Sequence, residues 1–125
     1  MPLIHVWNYS PSEDGTAQGR MPKLYYDLGR ACMSVTELGI KDATDVLISN
    51  HGAAICADPD AKTAAALVLI VDLLYDKPER TIEIKRKLAE AIGRAAHEGV
   101  GTRRPIEVFV RTFNPQTEAS WFSNG

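Results

Sequence analysis

The stretch Ala65-Ala-Leu-Val-Leu-Ile-Val-Asp-Leu-Leu-Tyr75 decides the fold of this chain. It is nearly continuous in apolar residues, which is typical of a central strand covered on both faces. Between residues 81 and 98 the apolar residues recur every three or four positions, and Gly99 and Gly101 follow as a stop. Residues 104–113 alternate apolar and polar side chains. The second half is therefore predicted to be a strand, a helix and a strand.

The first half repeats this order. Pro2-Leu-Ile-His-Val-Trp7 is rich in β-branched and aromatic residues and precedes a polar, turn-forming stretch, so it predicts a short strand. Residues 22–38 carry a helical apolar stripe that ends at Gly39. Residues 45–50 predict a second strand, and residues 53–57 are compatible with a short additional strand.

This order predicts two tandem β-α-β units. We expect a single domain over residues 1–125, with repeat one at about 2–62 and repeat two at about 63–125. Each helix would connect parallel strands by a right-handed crossover, which places both helices on one face of a four-stranded sheet. The predicted fold class is α+β.

Composition and charge exclude several classes of protein. The 125 residues include 14 basic and 16 acidic side chains, and a net charge of −2 does not attract nucleic acid or an anionic membrane. No apolar run approaches the ~20 residues of a membrane span, and the first residues lack the basic and apolar regions of a signal peptide. We therefore expect a cytoplasmic protein that binds neither nucleic acid nor membranes.

Cysteines and histidines give no sign of a metal site or a disulfide framework. Cys32 and Cys56 have no CxxC spacing, and the three histidines have no metal-ligand spacing. Two buried thiols in a reducing compartment are expected instead. His5 is expected to be a structural residue of the first strand, His51 to form a hydrogen bond at a turn, and His97 to lie on the surface of the second helix.

The dipeptide Met1-Pro2 carries the most informative chemistry. Initiator methionine is normally removed before a residue as small as proline, which leaves a secondary amine at the N-terminus. An ordinary α-amino group has a pKa near ~7.7 to 8.0, and desolvation disfavours its charged form. Such an amine is suited to carrying a proton in both directions near neutral pH.

The segment Tyr75-Asp-Lys-Pro-Glu-Arg80-Thr-Ile-Glu-Ile-Lys85-Arg-Lys-Leu88 lies between a predicted strand and a predicted helix. Together with Pro2 and the tail Ser120-Trp-Phe-Ser-Asn-Gly125, it resembles the tautomerase superfamily, whose repeats carry a strand, then Gly-Arg-Ser/Thr-x-Glu-x-Lys and a helix. Longer members begin at an amino-terminal proline and consist of two tandem β-α-β units of about this length. The resemblance implies a tautomerase-like fold with a four-stranded mixed sheet.

The resemblance also implies a mechanism without a cofactor. Pro2 would act as a base that takes a proton from one position of a small carboxylated enol or unsaturated acid and returns it to another. Arg80, just before the second helix, would bind the substrate carboxylate, because a guanidinium can hold a carboxylate bidentately beside a helix N-terminus. Arg20 and Lys77 are further candidates for substrate binding, and Trp121 and Phe122 are candidates for an apolar pocket wall, with core or subunit packing as their alternative role.

Several positions depart from the family pattern. The second arginine of members with short repeats falls close to Glu107, which cannot bind an anion. Dehalogenases of the superfamily have an arginine, a tyrosine and a glutamate where this chain has Lys77, Phe109 and Ser120. These departures favour proton transfer over activation of water. Glu118 lies close enough in sequence that hydration remains an alternative reaction.

The predicted function is therefore a cofactor-independent keto-enol tautomerase or isomerase. Two alternatives remain open: a hydratase, decarboxylase or dehalogenase in which a cationic Pro2 acts as an acid, and a non-catalytic binding module on the same fold. The pH dependence of activity separates base from acid catalysis.

A homotrimer is expected from the exposed face of the sheet. With both helices on one face, the other would be exposed in a monomer, and we expect it to be lined by part of the set Val68, Ile70, Ile106, Val108 and Val110. Three copies around a threefold axis would cover that face, as in the family that the sequence resembles. The tail, residues 114–125, would lie against a neighbouring subunit and wall its pocket.

Overall fold

The computed structural model of the protein describes residues 2–10, 22–52, 57, 66–73, 77–100, 104–113, 117–119 and 123. Its strands and helices occur in the order β1 (Leu3–Trp7), α1 (Lys23–Ser34), β2 (Leu47–Asn50), β3 (Leu67–Asp72), α2 (Ile82–Val100) and β4 (Ile106–Arg111). Each half of the chain therefore has the predicted β-α-β order. In the part of the chain that the structure describes, no helix combines the length and apolarity needed to cross a membrane.

The four strands form one mixed sheet in the order β2-β1-β3-β4. Parallel pairs join β1 to β2 and β3 to β4, whereas β1 and β3 run antiparallel at the centre. The starts of β1 and β2 and the ends of β3 and β4 therefore meet at the same end of the sheet. We call this the proline end, because Pro2 lies immediately before β1.

The core lies between one face of the sheet and the two helices. Ile4, Val6, Leu67, Leu69 and Val71 are fully buried on this face. The helices contribute Leu24, Leu28, Ala31 and Cys32 from α1 and Leu88, Ile92 and Ala96 from α2 to the same cluster. Burial of these stripes holds the helices on one side, which confirms the predicted α+β architecture.

The other side of the sheet, which we call the open face, carries the alternate residues of each strand. The structure corrects our assignment of β4 to this face. Ile106, Val108 and Val110 are in register with the buried residues of β3 and pack against the core, so they are not on the open face. Phe109 takes their place there, with 54% of its surface exposed. Val68 and Ile70 lie on the open face as predicted.

The first helix is shorter than its apolar stripe predicts. It ends at Ser34, whose hydroxyl donates to the carbonyl of Ala31 at 2.6 Å, and Val35 leaves the helical conformation with ψ at 86°. The end of the stripe forms a separate 3₁₀ turn, Thr36–Leu38, which Gly39 terminates in the left-handed region at φ 71°. A side-chain hydrogen bond to a preceding carbonyl competes with helix continuation, which explains the early end. Of the extra strand predicted at 53–57, residues 53–56 lie outside the described residues.

Candidate active site

Pro2 lies at the proline end with its ring fully buried. Its carbonyl accepts a hydrogen bond from the backbone N–H of Leu47, at 2.9 Å, which joins the start of β1 to the start of β2. The alternation of β1 places Pro2 on the same side of the sheet as Ile4, facing the helices. The sequence predicts this position, since the strand begins directly after the second residue.

Arg80 is attached to the same end of the sheet. Its guanidinium Nη1 donates to the carbonyl of Leu73 at 2.9 Å, and its backbone N–H closes a turn on the carbonyl of Lys77, also at 2.9 Å. Leu73 directly follows β3. The half-buried arginine therefore has a fixed attachment point on the sheet rather than a freely solvated position.

The antiparallel register brings Pro2 and Arg80 to one place. Leu3 pairs with Asp72, so Pro2 and Leu73 are the next residues along the two central strands. Because Leu73 holds the Arg80 guanidinium, the proline and the arginine share the proline end although 78 positions separate them in the sequence. The structure therefore brings these two predicted site residues to the same end of the sheet.

The start of α2 lies over this end and adds a lysine. Thr81 directly precedes the helix, and its hydroxyl accepts from the N–H of Ile84 at 3.4 Å. Lys85, in the first turn, reaches the hydroxyl of Thr112 just beyond β4, at 3.4 Å. Lys85 is therefore half-buried where the start of α2 meets the end of β4.

The remaining predicted site residues divide into two groups. Lys77 is exposed at the turn before Arg80, and its backbone carbonyl accepts the hydrogen bond from the backbone N–H of Arg80. Arg20, Trp121 and Phe122 lie outside the described residues, as do Met1 and Cys56. Cys32 is buried in α1 as expected, and burial raises the pKa of its thiol to about 12.

A cleft of about 380 Å³ opens at the ends of β3 and β4. Its lining comprises Asp72, Arg111, Thr112, Phe113 and Glu118. Arg111 pairs with Asp72 through both carboxylate oxygens, which holds the pKa of Asp72 below its usual value. An anion entering this cleft would compete with Asp72 for Arg111. The exposed Glu118 also raises the pKa of Arg111, after the larger effect of Asp72.

A polar row crosses the open face beside this cleft. Asp72 Oδ2 lies 2.8 Å from His5 Nε2, and His5 Nδ1 lies 2.8 Å from His51 Nε2. The His51 ring stacks on Trp7, with ring centroids 4.5 Å apart and planes inclined by 13°. His5 therefore has the structural role expected of it, and His51 forms the predicted hydrogen bond at a turn. His97 is half-buried rather than on the surface.

Sequence reasoning missed the connected row and the Arg80 attachment. His5 and His51 are 46 positions apart and belong to different elements, so no local spacing relates them. The parallel pairing of β1 with β2 aligns His5 with Ser49. This register places His51, in the turn after β2, beside β1. Among the described residues, no three histidine, cysteine, aspartate or glutamate side chains are placed to hold a metal ion.

Comparison with families and curated proteins gives no match to this sequence. Comparison with solved structures does give matches. The wild-type fused 4-OT named R7, an asymmetric trimer, is 18% identical, with a TM-score of 0.64 over 89% of this chain and 85% of that one. N1, a member of the cis-3-chloroacrylic acid dehalogenase family, is 14% identical, with a TM-score of 0.65 over 95% and 80%. MIF2 of Leishmania major is 17% identical, with a TM-score of 0.62 over 100% and 95%.

These proteins are tautomerase superfamily members, and the fused 4-OT corresponds to its long form. The coverage extends over nearly the whole chain in each case, so the likeness concerns the complete arrangement of strands and helices rather than one repeat. With the mixed sheet, the two helices on one face and the tandem β-α-β order described above, the chain has the same fold as these solved structures.

Proposed function

We propose that the protein is a cofactor-independent tautomerase or isomerase that uses Pro2, freed of Met1, as a general base on a small carboxylated enol or unsaturated acid. The observation that carries this proposal is the attachment of Arg80 to Leu73, next to the start of β1. This placement supports the proposal, because it puts the residue proposed as base and the residue proposed to bind the carboxylate at the same end of the sheet.

The chemistry needs only a proton to move. Burial disfavours the charged form of an amine, so the freed Pro2 nitrogen would be neutral near physiological pH. It would take a proton from the hydroxyl or carbon of the bound acid and return it to another atom of the same molecule. The guanidinium of Arg80 would hold the carboxylate and fix which atom faces the proline.

The proposal is tested by intact mass followed by an activity assay. The native protein is expected to lack Met1, and the processed protein to interconvert enol and keto forms of 2-hydroxymuconate-like or phenylenolpyruvate-like acids. A blocked variant with an added residue before Pro2 serves as the control, because it keeps the fold but acylates the proline nitrogen. Retained Met1 in the native protein, or equal activity of the blocked variant, would exclude Pro2 as the base.

The cleft beside Asp72 supports a second candidate, a hydratase or dehalogenase. Glu118 lines this cleft together with Asp72 and Arg111, so a carboxylate lies where water could be activated. In that reaction Pro2 would stay protonated and act as an acid. Replacing Glu118 with glutamine would abolish hydration of a β-unsaturated acid, whereas a simple tautomerase would keep its activity.

We also propose that the chain assembles as a homotrimer through its open face. Phe109 is 54% exposed there, beside the half-buried Trp7, Val68 and Ile70. Covering an apolar face of this kind is a common reason for closed assembly, and the fused 4-OT compared above is a trimer. Light scattering should give about three times 13.7 kDa, and Phe109→Glu should lower that mass. A monomer of 13.7 kDa at micromolar concentration would refute the assembly.

A further inference from the structure

Leu73 connects the cleft at the ends of β3 and β4 with the place where Arg80 is attached. Its N–H donates to the carbonyl of Arg111 at 2.9 Å, so this side of the Leu73 backbone points towards β4. The N–H and the C=O of a strand residue point to the same neighbouring strand, and the Leu73 carbonyl accepts from Arg80. The Arg80 guanidinium therefore lies on the β4 side of Leu73, where Thr112 and Phe113 line the cleft.

The first turn of α2 supplies a second basic group on this side of the cleft. Lys85 Nζ donates to the hydroxyl of Thr112 at 3.4 Å, and Arg80 lies just before the same helix. Thr112 belongs to the lining of the cleft, so both cations lie on the helix side of the space that a small acid would occupy. We therefore expect a carboxylate to bind on this side, facing α2.

Two carboxylates border the other side of the cleft. Asp72 accepts hydrogen bonds from Arg111 through Nε and, at 3.1 Å, through Nη2. Glu118 also lines the cleft, and its charge raises the pKa of Arg111, after the larger effect of Asp72. A carboxylate that enters here must separate Arg111 from Asp72 and approach Glu118 as well. Both steps disfavour a second negative charge in this part of the cleft.

An uncharged group can enter without either step. It leaves the pair of Asp72 and Arg111 in place, and it meets the half-buried side chains of Thr112 and Phe113, which offer one hydroxyl and an apolar ring. The cleft of about 380 Å³ therefore suits the neutral end of a small acid whose carboxylate is held beside α2.

We propose that Asp72 is a specificity-determining residue, which occupies Arg111 and so restricts the substrate to monocarboxylic acids with an uncharged far end. This inference rests on the proposed function and narrows its substrate class: phenylenolpyruvate-like acids fit, and 2-hydroxymuconate-like diacids are rejected. Asp72 acts through Arg111 and takes no part in the transfer of the proton.

The first test compares two acids that differ only in the second carboxylate. These are 2-hydroxypentadienoate and 2-hydroxymuconate, and kcat and KM are measured for each with the full-length protein. The wild type should have a KM at least about tenfold lower for the monocarboxylic acid. Asp72→Asn keeps the size of the side chain but frees Arg111, so it should reduce this KM ratio by about tenfold, through a lower KM for the diacid. An unchanged ratio in Asp72→Asn, or a lower wild-type KM for the diacid, would overturn the proposal.

Two further variants separate the cleft from net charge and from folding. Glu90→Gln removes one negative charge from the exposed side of α2, where Glu90 pairs with Arg94, and should keep the wild-type ratio. A shift in Glu90→Gln as large as that in Asp72→Asn would overturn the proposal. Glu118→Gln changes an exposed side chain of the cleft and should move the ratio in the same direction as Asp72→Asn, by a smaller factor. If Asp72→Asn does not fold, an unchanged ratio in Glu118→Gln overturns the proposal.

The second test needs no turnover and therefore separates this inference from the proposed function. Pentanoate and adipate, which cannot tautomerise, are titrated into the wild type and into Asp72→Asn, and binding is followed by NMR. The wild type should bind pentanoate more tightly, and Asp72→Asn should reduce the difference. Lack of turnover with the expected binding order would refute the proposed function and leave the specificity of the cleft standing. Equal or tighter binding of adipate by the wild type, or binding of neither acid, would overturn the specificity whatever the turnover.

Discussion

Arg80 is the residue whose replacement gives the most specific expectation. Its guanidinium has two tasks in our account: Nη1 donates to the carbonyl of Leu73 at 2.9 Å, and the guanidinium binds the carboxylate of the proposed substrate. Lysine keeps the charge but has a single ammonium, which cannot perform both tasks with the same geometry. Alanine removes both.

The size of the effect follows from the interaction lost. Hydrogen bonds to charged groups contribute about 1.5 to 3 kcal/mol, which corresponds to roughly 10- to 150-fold in affinity. We therefore expect Arg80→Ala to raise KM for a carboxylated substrate by about 100-fold and Arg80→Lys by about 10-fold, with smaller changes in kcat. Loss of the bond to Leu73 should also lower the free energy of unfolding by about 1 kcal/mol.

The assay measures kcat and KM separately on the same acid for wild type and three variants. Arg86→Ala is the matched control, because Arg86 is an exposed arginine near the start of α2, shortly after Arg80 in the sequence. Its KM should equal that of the wild type. The reasoning is refuted if Arg80→Ala keeps the wild-type KM, or if Arg86→Ala raises KM by as much as Arg80→Ala does.

Three further predictions concern protonation and packing. Activity should rise with pH as the Pro2 amine loses its proton, and a falling limb in the same range would indicate acid catalysis instead. Asp72→Asn should lower the free energy of unfolding by about 1 kcal/mol at pH 7. Because the pKa of Asp72 is lowered in the folded state, this difference in stability between wild type and Asp72→Asn should be present above about pH 3.9. It should disappear as the pH falls through the pKa that Asp72 has in the folded protein, and denaturant titrations at a series of pH values measure it. Leu69→Ala, at a fully buried position of β3, should lower the free energy of unfolding by about 2 to 5 kcal/mol in the same titrations, whereas Thr44→Ala at an exposed position should change it by less.

Local sequence patterns predict most of the fold because they reflect burial on one face. The apolar residues of β3 and the helical stripe of α2 are buried when they pack against the core. Alternation in β4 reveals two faces but does not say which one meets the helices. The parallel register that aligns Val108 with Leu69 decides that question, and it is a property of the pairing rather than of either strand.

Part of the candidate site could also be predicted from local sequence patterns. Pro2 and Arg80 are recognisable because each belongs to a local motif. The attachment of Arg80 to Leu73 depends on a turn that folds a side chain back onto the backbone seven positions earlier, and the Asp72, His5 and His51 row depends on three strands meeting. Contacts between distant segments have no signature in composition or spacing, so they emerge only in the folded chain.

The central claim is that the nitrogen of Pro2 moves the proton, and kcat of Pro2→Ala tests it most directly. Alanine also allows removal of Met1, so both proteins present a free amine at the same position, and circular dichroism checks that the first strand still forms. A positioned general base contributes about 10²- to 10⁴-fold, which sets the upper limit of the expected fall in kcat, since the primary amine of alanine keeps a base but changes its basicity and geometry. A Pro2→Ala protein that is folded, processed and as fast as the wild type would contradict the account.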